Sequence, residues 1–522
     1  MPKHPNVLFL LSDEHSHRFF SHLDPSQEGE PVRTPSFDAL ANSSAVFAQT
    51  YCQMPLCTPS RICLLTGRDQ ASASAWTNGS WLRPDLPTLP GVFAEAGYTT
   101  CLVGKMHFGG DRQFNGFQHR PYGDLTGHAG HQHDPLNPEK GRGLSGMRRR
   151  TANAGITEIP ESLLQEQVVM RETIAWLREH RHRRPGTPWF VCASFSRPHF
   201  PLTAPRRCFE RYWPHGVTPP KVGRSGDTVD HPMTTGMARG FQVEAIDEEE
   251  MMRARAAYFA CVEYLDEVIG DLLAVLARDG LLEEAIIVYT SDHGEMAGEH
   301  GLWWKNSWHE GSSRVPWFVQ MPEHRTGMLP ARRFETPVSL ADLFPTLCAL
   351  AGLAPPETLD GMDLSEAIRD GREPVRRGPV VCDALEPRWG PGTEFRMVRH
   401  GRYKYVGFRS ALPLLFDLVA DPFEQKNLAV GHVPPEMATV RDRLAGFVAD
   451  SVDFDVVERQ REEDRARTKA HALRINPGTG NAYLMPDGRL VDADTTLYCP
   501  QVLSENPSGV FADWPDGEET RA

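Results

Sequence analysis

Short apolar runs alternate with amphipathic stretches along most of this chain. Residues 7–11 form an unbroken apolar run, which reads as a strand buried on both faces. Residues 99–103 read as another, ending at Gly104-Lys105. A helical stretch over 161–179 leads through Pro185-Gly186 into a predicted strand at 189–195. The clearest helix covers 247–278. Its apolar residues Tyr258, Val262, Leu265, Ile269, Leu272 and Leu276 recur at steps of four and three, and Gly280 is its stop. Residues 286–290 then form a buried strand ending at Ser291-Asp292-His293-Gly294.

Strands alternating with helices predict an α/β fold: a large, mostly parallel sheet sandwiched by helices. The pattern changes after residue 372. Runs at 395–398 and 403–408 flank His400-Gly401 as a hairpin, 414–418 is a short strand, and 435–448 is a helix. The expected division is a catalytic domain over 1–372, a smaller antiparallel α+β subdomain over 373–450, and a C-terminal extension over 451–522. The extension reaches as an arm over a second subunit of a homo-oligomer or ends as a loose terminus. Residues 127–142, rich in His, Gly and Pro, read as a surface loop.

A length of 522 residues suits one large domain with a satellite. The net charge of −14 leaves no basic groove for nucleic acid, so no nucleic-acid partner is expected. The ten cysteines form no CxxC pair, and several lie in apolar runs as reduced core residues do. The first apolar run is too short for a signal peptide, and no stretch is long enough for a bilayer. A cytoplasmic location without membrane contact is the expectation.

The order of elements matters for chemistry, because ligands in open α/β sheets sit beyond the carboxyl ends of strands. Asp13, Lys105, His199 and Asp292 all fall at or just after such ends. Cys57-Thr58-Pro59-Ser60-Arg61-Ile62-Cys63-Leu64-Leu65-Thr66-Gly67-Arg68 is equally suggestive. Pro59 suits a first helical turn and Gly67 a helix end, which places Cys57 at a helix N-terminus that favours anions. Arg61 adds a fork of donors one turn in. By spacing alone, a buried structural cysteine is an equal reading. Ser12-Asp13-Glu14 and Asp292-His293 offer oxygen-rich ligands and one imidazole for a divalent cation, or simply turns and caps.

These twelve residues from Cys57 to Arg68 resemble the signature of the formylglycine-dependent sulfatases of the alkaline phosphatase superfamily, Cys-x-Pro-Ser-Arg followed by Thr-Gly-Arg. Gly104-Lys105-Met106-His107 is similar to that family's Gly-Lys-x-His, and Arg197-Pro198-His199-Phe200-Pro201 to its Pro-His-x-Pro turn. Residues 298–305 resemble the segment that supplies a lysine, here Lys305. The resemblance spans roughly residues 6–428 and is closest to bacterial aryl-, choline- and iduronate-type members.

The resemblance implies an alkaline-phosphatase-like fold and hydrolysis of sulfate esters to alcohol and sulfate. Cys57 would be oxidised to formylglycine by a formylglycine-generating enzyme, and its hydrate would attack sulfur. Arg61, Lys105, His107, His199 and Lys305 carry over as catalytic residues and Asn78 as an anion contact. Asp13, Glu14, Asp292, His293 and modified Cys57 carry over as ligands to one divalent cation. Calcium leads, with manganese, magnesium and zinc as alternatives. Glu14 departs from the family's commoner Asp or Gln. The partner is a small sulfated substrate whose alcohol is open; residues 127–142, 383–392 and the tail are the segments that would shape its pocket. Three other functions compete. A phosphonate monoester or phosphodiester hydrolase would use the same modified cysteine but tends to carry hydroxyl side chains where this chain has Lys105 and His107. A silent binding protein on the same fold would not need the intact polar set. A two-metal phosphatase would gather more His and Asp.

Overall fold

The computed structural model describes residues 4–123, 146–376, 378–431, 433–475, 482–484 and 490–492. The predicted loop at 127–142 lies outside them. Eight strands form the main sheet: β1 (Asn6–Asp13), β2 (Ala45–Phe47), β3 (Thr99–Gly104), β4 (His119–Tyr122), β5 (Trp189–Pro198), β6 (Ala285–Ser291), β7 (Trp317–Gln320) and β8 (Arg332–Phe334). Their spatial order is β8-β2-β7-β6-β1-β5-β3-β4. All run in one direction except β7, which pairs antiparallel with β6 and β2. β1 is central: Leu8 stands opposite Val191 of β5 and Ile287 of β6.

Val7 to Leu11 and Ala285 to Val288 are shielded from water whichever way they point. That is why these strands read as continuous apolar runs and lack the alternation of a one-sided sheet. The helices that matter for the site are α1 (Cys57–Thr66), α2 (Leu89–Glu95), α3 (Gln165–Arg183), α4 (Glu248–Arg278) and α5 (Leu343–Leu350). α3 and α4 pack on β5 and on each other, whereas α1, α2 and α5 form a second mutually packed group. α4 begins at Asp247, whose side chain caps the Glu250 amide, and three glutamates occupy its first turn. α3 starts four residues later than the periodicity suggests, because residues 161–163 form a separate 3₁₀ turn after Pro160.

A second sheet holds β9 (Val380–Ala384), β10 (Phe395–His400), β11 (Tyr403–Phe408) and β12 (Leu414–Asp417), antiparallel throughout. α6 (Pro435–Ser451) packs on it, with Leu444 and Val448 meeting Val398 and Tyr405. The charged stretch after Asp450 is not irregular throughout. It contains α7 (Phe454–Ile475), which packs on its own chain: Val457 meets Trp76 and Leu385, and Asp464 accepts a bond from the Trp76 indole at 2.8 Å. Periodicity gave no warning, because the apolar residues of α7 sit mainly at its two ends and form no continuous helical stripe, and its contacts mix the apolar Val457 with polar bonds.

Candidate active site

The carboxyl ends of β1, β3, β5 and β6 meet at the N-terminus of α1. Asp13 is the last residue of β1, and Asp292-His293 follow β6 directly. Gly104 turns β3 towards Lys105 with φ +94°. A Cβ there would lie 2.1 Å from the Ser194 carbonyl oxygen, so only glycine lets the two strands come this close. α1 begins at Cys57 and ends at Gly67 in the left-handed region, φ +62°. All ten of its residues are buried.

Arg61 ties these ends together. Its Nε donates to Asp292 Oδ2 at 2.7 Å and its Nη2 to Asp13 Oδ2 at 3.0 Å. Its Nη1 donates to the Lys105 carbonyl at 2.7 Å and the Ser194 hydroxyl at 3.0 Å. One guanidinium thus spans four strand ends, a geometry its planar fork permits and lysine does not. Ser60 adds a bond to the Asp292 carbonyl. The neighbouring signature residues therefore serve the carboxylates as much as Cys57.

The Cys57 sulfur lies 3.3 Å from His293 Nε2, 3.3 Å from Lys305 Nζ and 3.7 Å from Asp13 Oδ1. His107 and His199 also hydrogen-bond towards it. Burial opposes a thiolate, yet Lys305, Lys105 and His293 outweigh it and hold the thiol well below its usual range. By contrast burial pushes the Cys63 thiol up, six residues further along the helix. Lys105 Nζ sits 2.6 Å from Asp13 Oδ2. Burial and the Cys57 sulfur would raise the Asp13 pKa, but Lys105, His199 and Arg61 hold it well below the carboxylate range. His199 is pushed well below the imidazole range by burial, then by Lys105 and Lys305.

Every predicted site residue falls within this one locus, in distinct places. Asp13, Cys57, Asp292 and His293 bring one donor atom each within 4.8 Å of one another. Glu14 is turned differently: its Oε2 lies 3.1 Å from Lys305 Nζ and 3.4 Å from His199 Nε2. Its Oε1 is buried and accepts no hydrogen bond from a standing donor among the described residues, while the Glu295 carboxyl lies against the Glu14 side chain. Burial pushes the Glu14 pKa well up, against the pull of Lys305. Asn78 accepts from the Thr58 amide at 3.1 Å, capping α1 beside Cys57, and the His107 carbonyl accepts from the Thr58 hydroxyl.

His15 and His17 are buried outside this cluster: His15 bonds the Tyr289 hydroxyl, and His17 lies near Glu28. Sequence reasoning missed Ser194 and Glu295. Ser194 carried no signal beyond its place in β5. Glu295 accepts the Ala297 and Trp304 amides, fixing the turn before Lys305; its place two residues after His293 was the only hint.

The donor set could hold a metal ion: two carboxylates, an imidazole and the Cys57 side chain converge, with a glutamate oxygen nearby. Comparisons with known proteins identify the family. The sulfatase family model matches residues 5–353, and the model of the N-sulphoglucosamine sulphohydrolase C-terminal region matches 298–449. A choline-sulfatase of Rhizobium meliloti (strain 1021) is 32% identical over 473 residues, 87% of this chain and 89% of the relative. An arylsulfatase of Clostridium perfringens (strain 13 / Type A) is 29% identical, over 76% and 85% of the two chains. The crystal structure of the phosphonate monoester hydrolase of Agrobacterium radiobacter shares the fold, with a TM-score of 0.71 at 23% identity over 94% of this chain and 99% of that one. With the family model matched across two thirds of its length, the chain belongs to the sulfatase family and is a sulfuric ester hydrolase.

Proposed function

We propose that Cys57 is oxidised to formylglycine by a formylglycine-generating enzyme and that the hydrate formed there is the nucleophile. The observation that carries this reading is the convergence of Lys305, His293 and Asp13 on one buried sulfur at the N-terminus of α1. A structural cysteine gains nothing from such company; an oxygen nucleophile does. We assign Asp13, Asp292, His293 and the oxygen at position 57 as holders of one divalent cation, calcium, with Glu14 Oε1 as a further ligand. That ion, when bound, would favour ionisation of the position-57 hydroxyl and offset charge on the sulfuryl oxygens.

The remaining residues divide the work. Lys105 and Lys305 grip the sulfuryl group, and the amide nitrogen of Asn78, whose oxygen caps α1, is placed to help. Arg61 holds Asp13 and Asp292 in register and touches substrate little, because its donors are largely engaged. His199 stands on the leaving-group side. Burial and two lysines keep it neutral; an arriving sulfuryl anion offsets those lysines and raises its proton affinity where the departing alcohol needs a proton. His107 takes the proton of the second hydroxyl as sulfate departs and the aldehyde re-forms.

Mass spectrometry of the peptide spanning position 57, from fully active enzyme, should find the aldehyde or its hydrate. An unmodified thiol in protein of full activity would overturn the proposal. Catalytic efficiency should be higher on an aryl sulfate than on a phenyl phosphonate monoester, because Lys105 and a histidine at 107 suit the sulfuryl transition state.

A further inference from the structure

His199 rides on a short loop whose feet are fastened by a buried ion pair outside the catalytic set. β5 runs to Pro198, opposite Asp13 of β1. The first two residues of α3 face the two residues before that proline: Gln165 accepts the Ser196 hydroxyl, and Glu166 holds Arg197. Glu166 is fully buried and directs both oxygens at that one residue. Its Oε1 accepts the Arg197 amide at 3.1 Å, and its Oε2 accepts from Nη1 of the guanidinium at 2.7 Å. A single carboxylate thus fixes backbone and side chain together. Arg197 in turn reaches across the loop. Its Nη2 donates to the Thr203 carbonyl at 2.7 Å, and its guanidinium carbon lies 5.6 Å from the Tyr264 ring centroid on α4. Residues 198–202 are therefore pinned at both ends.

The loop sets the state of the imidazole it carries. The His199 amide donates to the Ser196 carbonyl at 3.0 Å and the Asp13 carbonyl at 3.1 Å. Its Nδ1 lies 2.7 Å from the Phe200 carbonyl. A carbonyl only accepts, so Nδ1 carries the proton of the neutral ring, and Nε2 faces the site 3.4 Å from Glu14 Oε2. Tautomer and aim of His199 both depend on a carbonyl of the loop itself.

A glutamate in a first turn favours its helix without being buried. A buried ion pair brings little stability over apolar side chains of the same volume; what it brings is a fixed geometry. Resting on the reading of His199 as the acid, we propose that Glu166 is a positioning residue for His199. It acts through Arg197, which holds the loop whose Phe200 carbonyl orients the imidazole. Its effect falls on proton transfer and leaves sulfate binding alone.

Kinetics on an alkyl sulfate and on 4-nitrophenyl sulfate test this, with H199Q as the reference. E166Q keeps an acceptor for the Arg197 amide but loses the charge. It should lower kcat on the alkyl ester by about tenfold or more, the effect of a displaced catalytic group, with KM unchanged. On 4-nitrophenyl sulfate, whose phenoxide needs little protonation, the loss should stay within about twofold. E166D should recover part of the alkyl-ester rate. In the H199Q background E166Q should cost nothing further on either ester, because its effect runs through the imidazole. E166M/R197M removes both charges, so no buried arginine is left unpaired; it should unfold near the wild-type temperature and show the same ester-selective loss. Equal losses on the two esters, a further loss in the H199Q background, or wild-type rates in E166M/R197M would overturn the proposal. If H199Q itself slows both esters alike, the acid reading falls and this proposal with it. If H199Q is selective and E166Q is not, the acid reading stands and this proposal alone falls.

Discussion

Two buried ionic clusters share the segment 305–314, and only one of them is proposed as the site. At the junction with the second sheet, Lys404 Nζ binds Glu310 at 2.6 Å and Glu424 at 2.7 Å, Arg314 binds Glu28 at 3.0 Å, and Arg399 bonds the Tyr51 hydroxyl at 2.9 Å. The Tyr51 hydroxyl in turn donates a hydrogen bond to Glu310 at 3.0 Å, closing the ring. Three cations meet three carboxylates, and each donor ends on an acceptor of this chain. Around Cys57 the count of charges is similar, but the geometry does not close. Lys305 points at a thiol, Glu14 keeps an orphaned oxygen, and His199 is held neutral between lysines. Closure fixes a fold; an unclosed set of fixed charges is poised for something that arrives.

The contrast breaks most sharply at position 57. Cys57→Ala should lower turnover by on the order of 10⁴-fold or more while leaving the unfolding temperature close to wild type. Full activity in that variant would remove the nucleophile from the argument. Lys404→Met should do the opposite. Leaving Glu310 and Glu424 buried without their cation should cost roughly 3–5 kcal/mol of stability, yet kcat at a temperature where the variant is folded should stay near wild type. Urea unfolding and steady-state kinetics on the same preparations check both halves. A Lys404 variant that is stable but inactive would mean the two clusters act as one.

Arg61 belongs to both descriptions, because it closes bonds within the open cluster. Arg61→Lys keeps the charge but cannot span Asp292, Asp13, Lys105 and Ser194 at once. We expect kcat/KM to fall by about 10²–10³-fold, the scale of losing a fixed donor in an active site. Unchanged kinetics would show that the strand ends need no such tie.

The open cluster was largely legible in the sequence, and the closed one was not. Asp13, Lys105, His199 and Asp292 could be placed because strands ending in polar residues announce a common edge. The signature around Cys57 is local, so a single segment carries it. Glu310, Lys404 and Glu424 sit far apart along the chain, each flanked by unremarkable neighbours, and only tertiary packing brings them together. α7 escaped notice for a related reason: its contacts to Trp76 and the Leu385 carbonyl are polar and distant in sequence. Glu14 shows a finer limit. Its position at the end of β1 was readable, but its turn towards Lys305 and His199 depends on a backbone φ of +69° that composition does not reveal.

His199 should separate substrates by their leaving groups. His199→Gln should cost about 10²-fold on an alkyl sulfate, whose alkoxide needs a proton, and far less on 4-nitrophenyl sulfate, whose phenoxide does not. An equal loss on both would assign His199 to binding and not to proton transfer.

The mildest test concerns a carboxylate that belongs to neither cluster. Asp266 on α4 is fully buried and accepts the Ser36 amide at 3.1 Å and the Phe37 amide at 2.6 Å, at the start of the helix Pro35–Ala41. No ion pair to it occurs among the described residues, and burial pushes its pKa up to about 7 in spite of those amides. In the unfolded chain the same group ionises near the ordinary aspartate value of 3.8. Between those values the folded state holds a proton that the unfolded state has released, so stability falls as pH rises from about 4 to 7, by at most about 1.4 kcal/mol per unit, and is level above. Asp266→Asn removes that slope while leaving one amide poorly paired. The variant should therefore be less stable than wild type at pH 5, and the gap should narrow by about 1–2 kcal/mol at pH 8. Urea midpoints at the two pH values measure it. A gap that stays constant would mean that the two backbone amides satisfy the charged form fully. A buried carboxylate would then need no cation to be closed, and the distinction between the two clusters would rest on hydrogen bonds, with charge balance secondary.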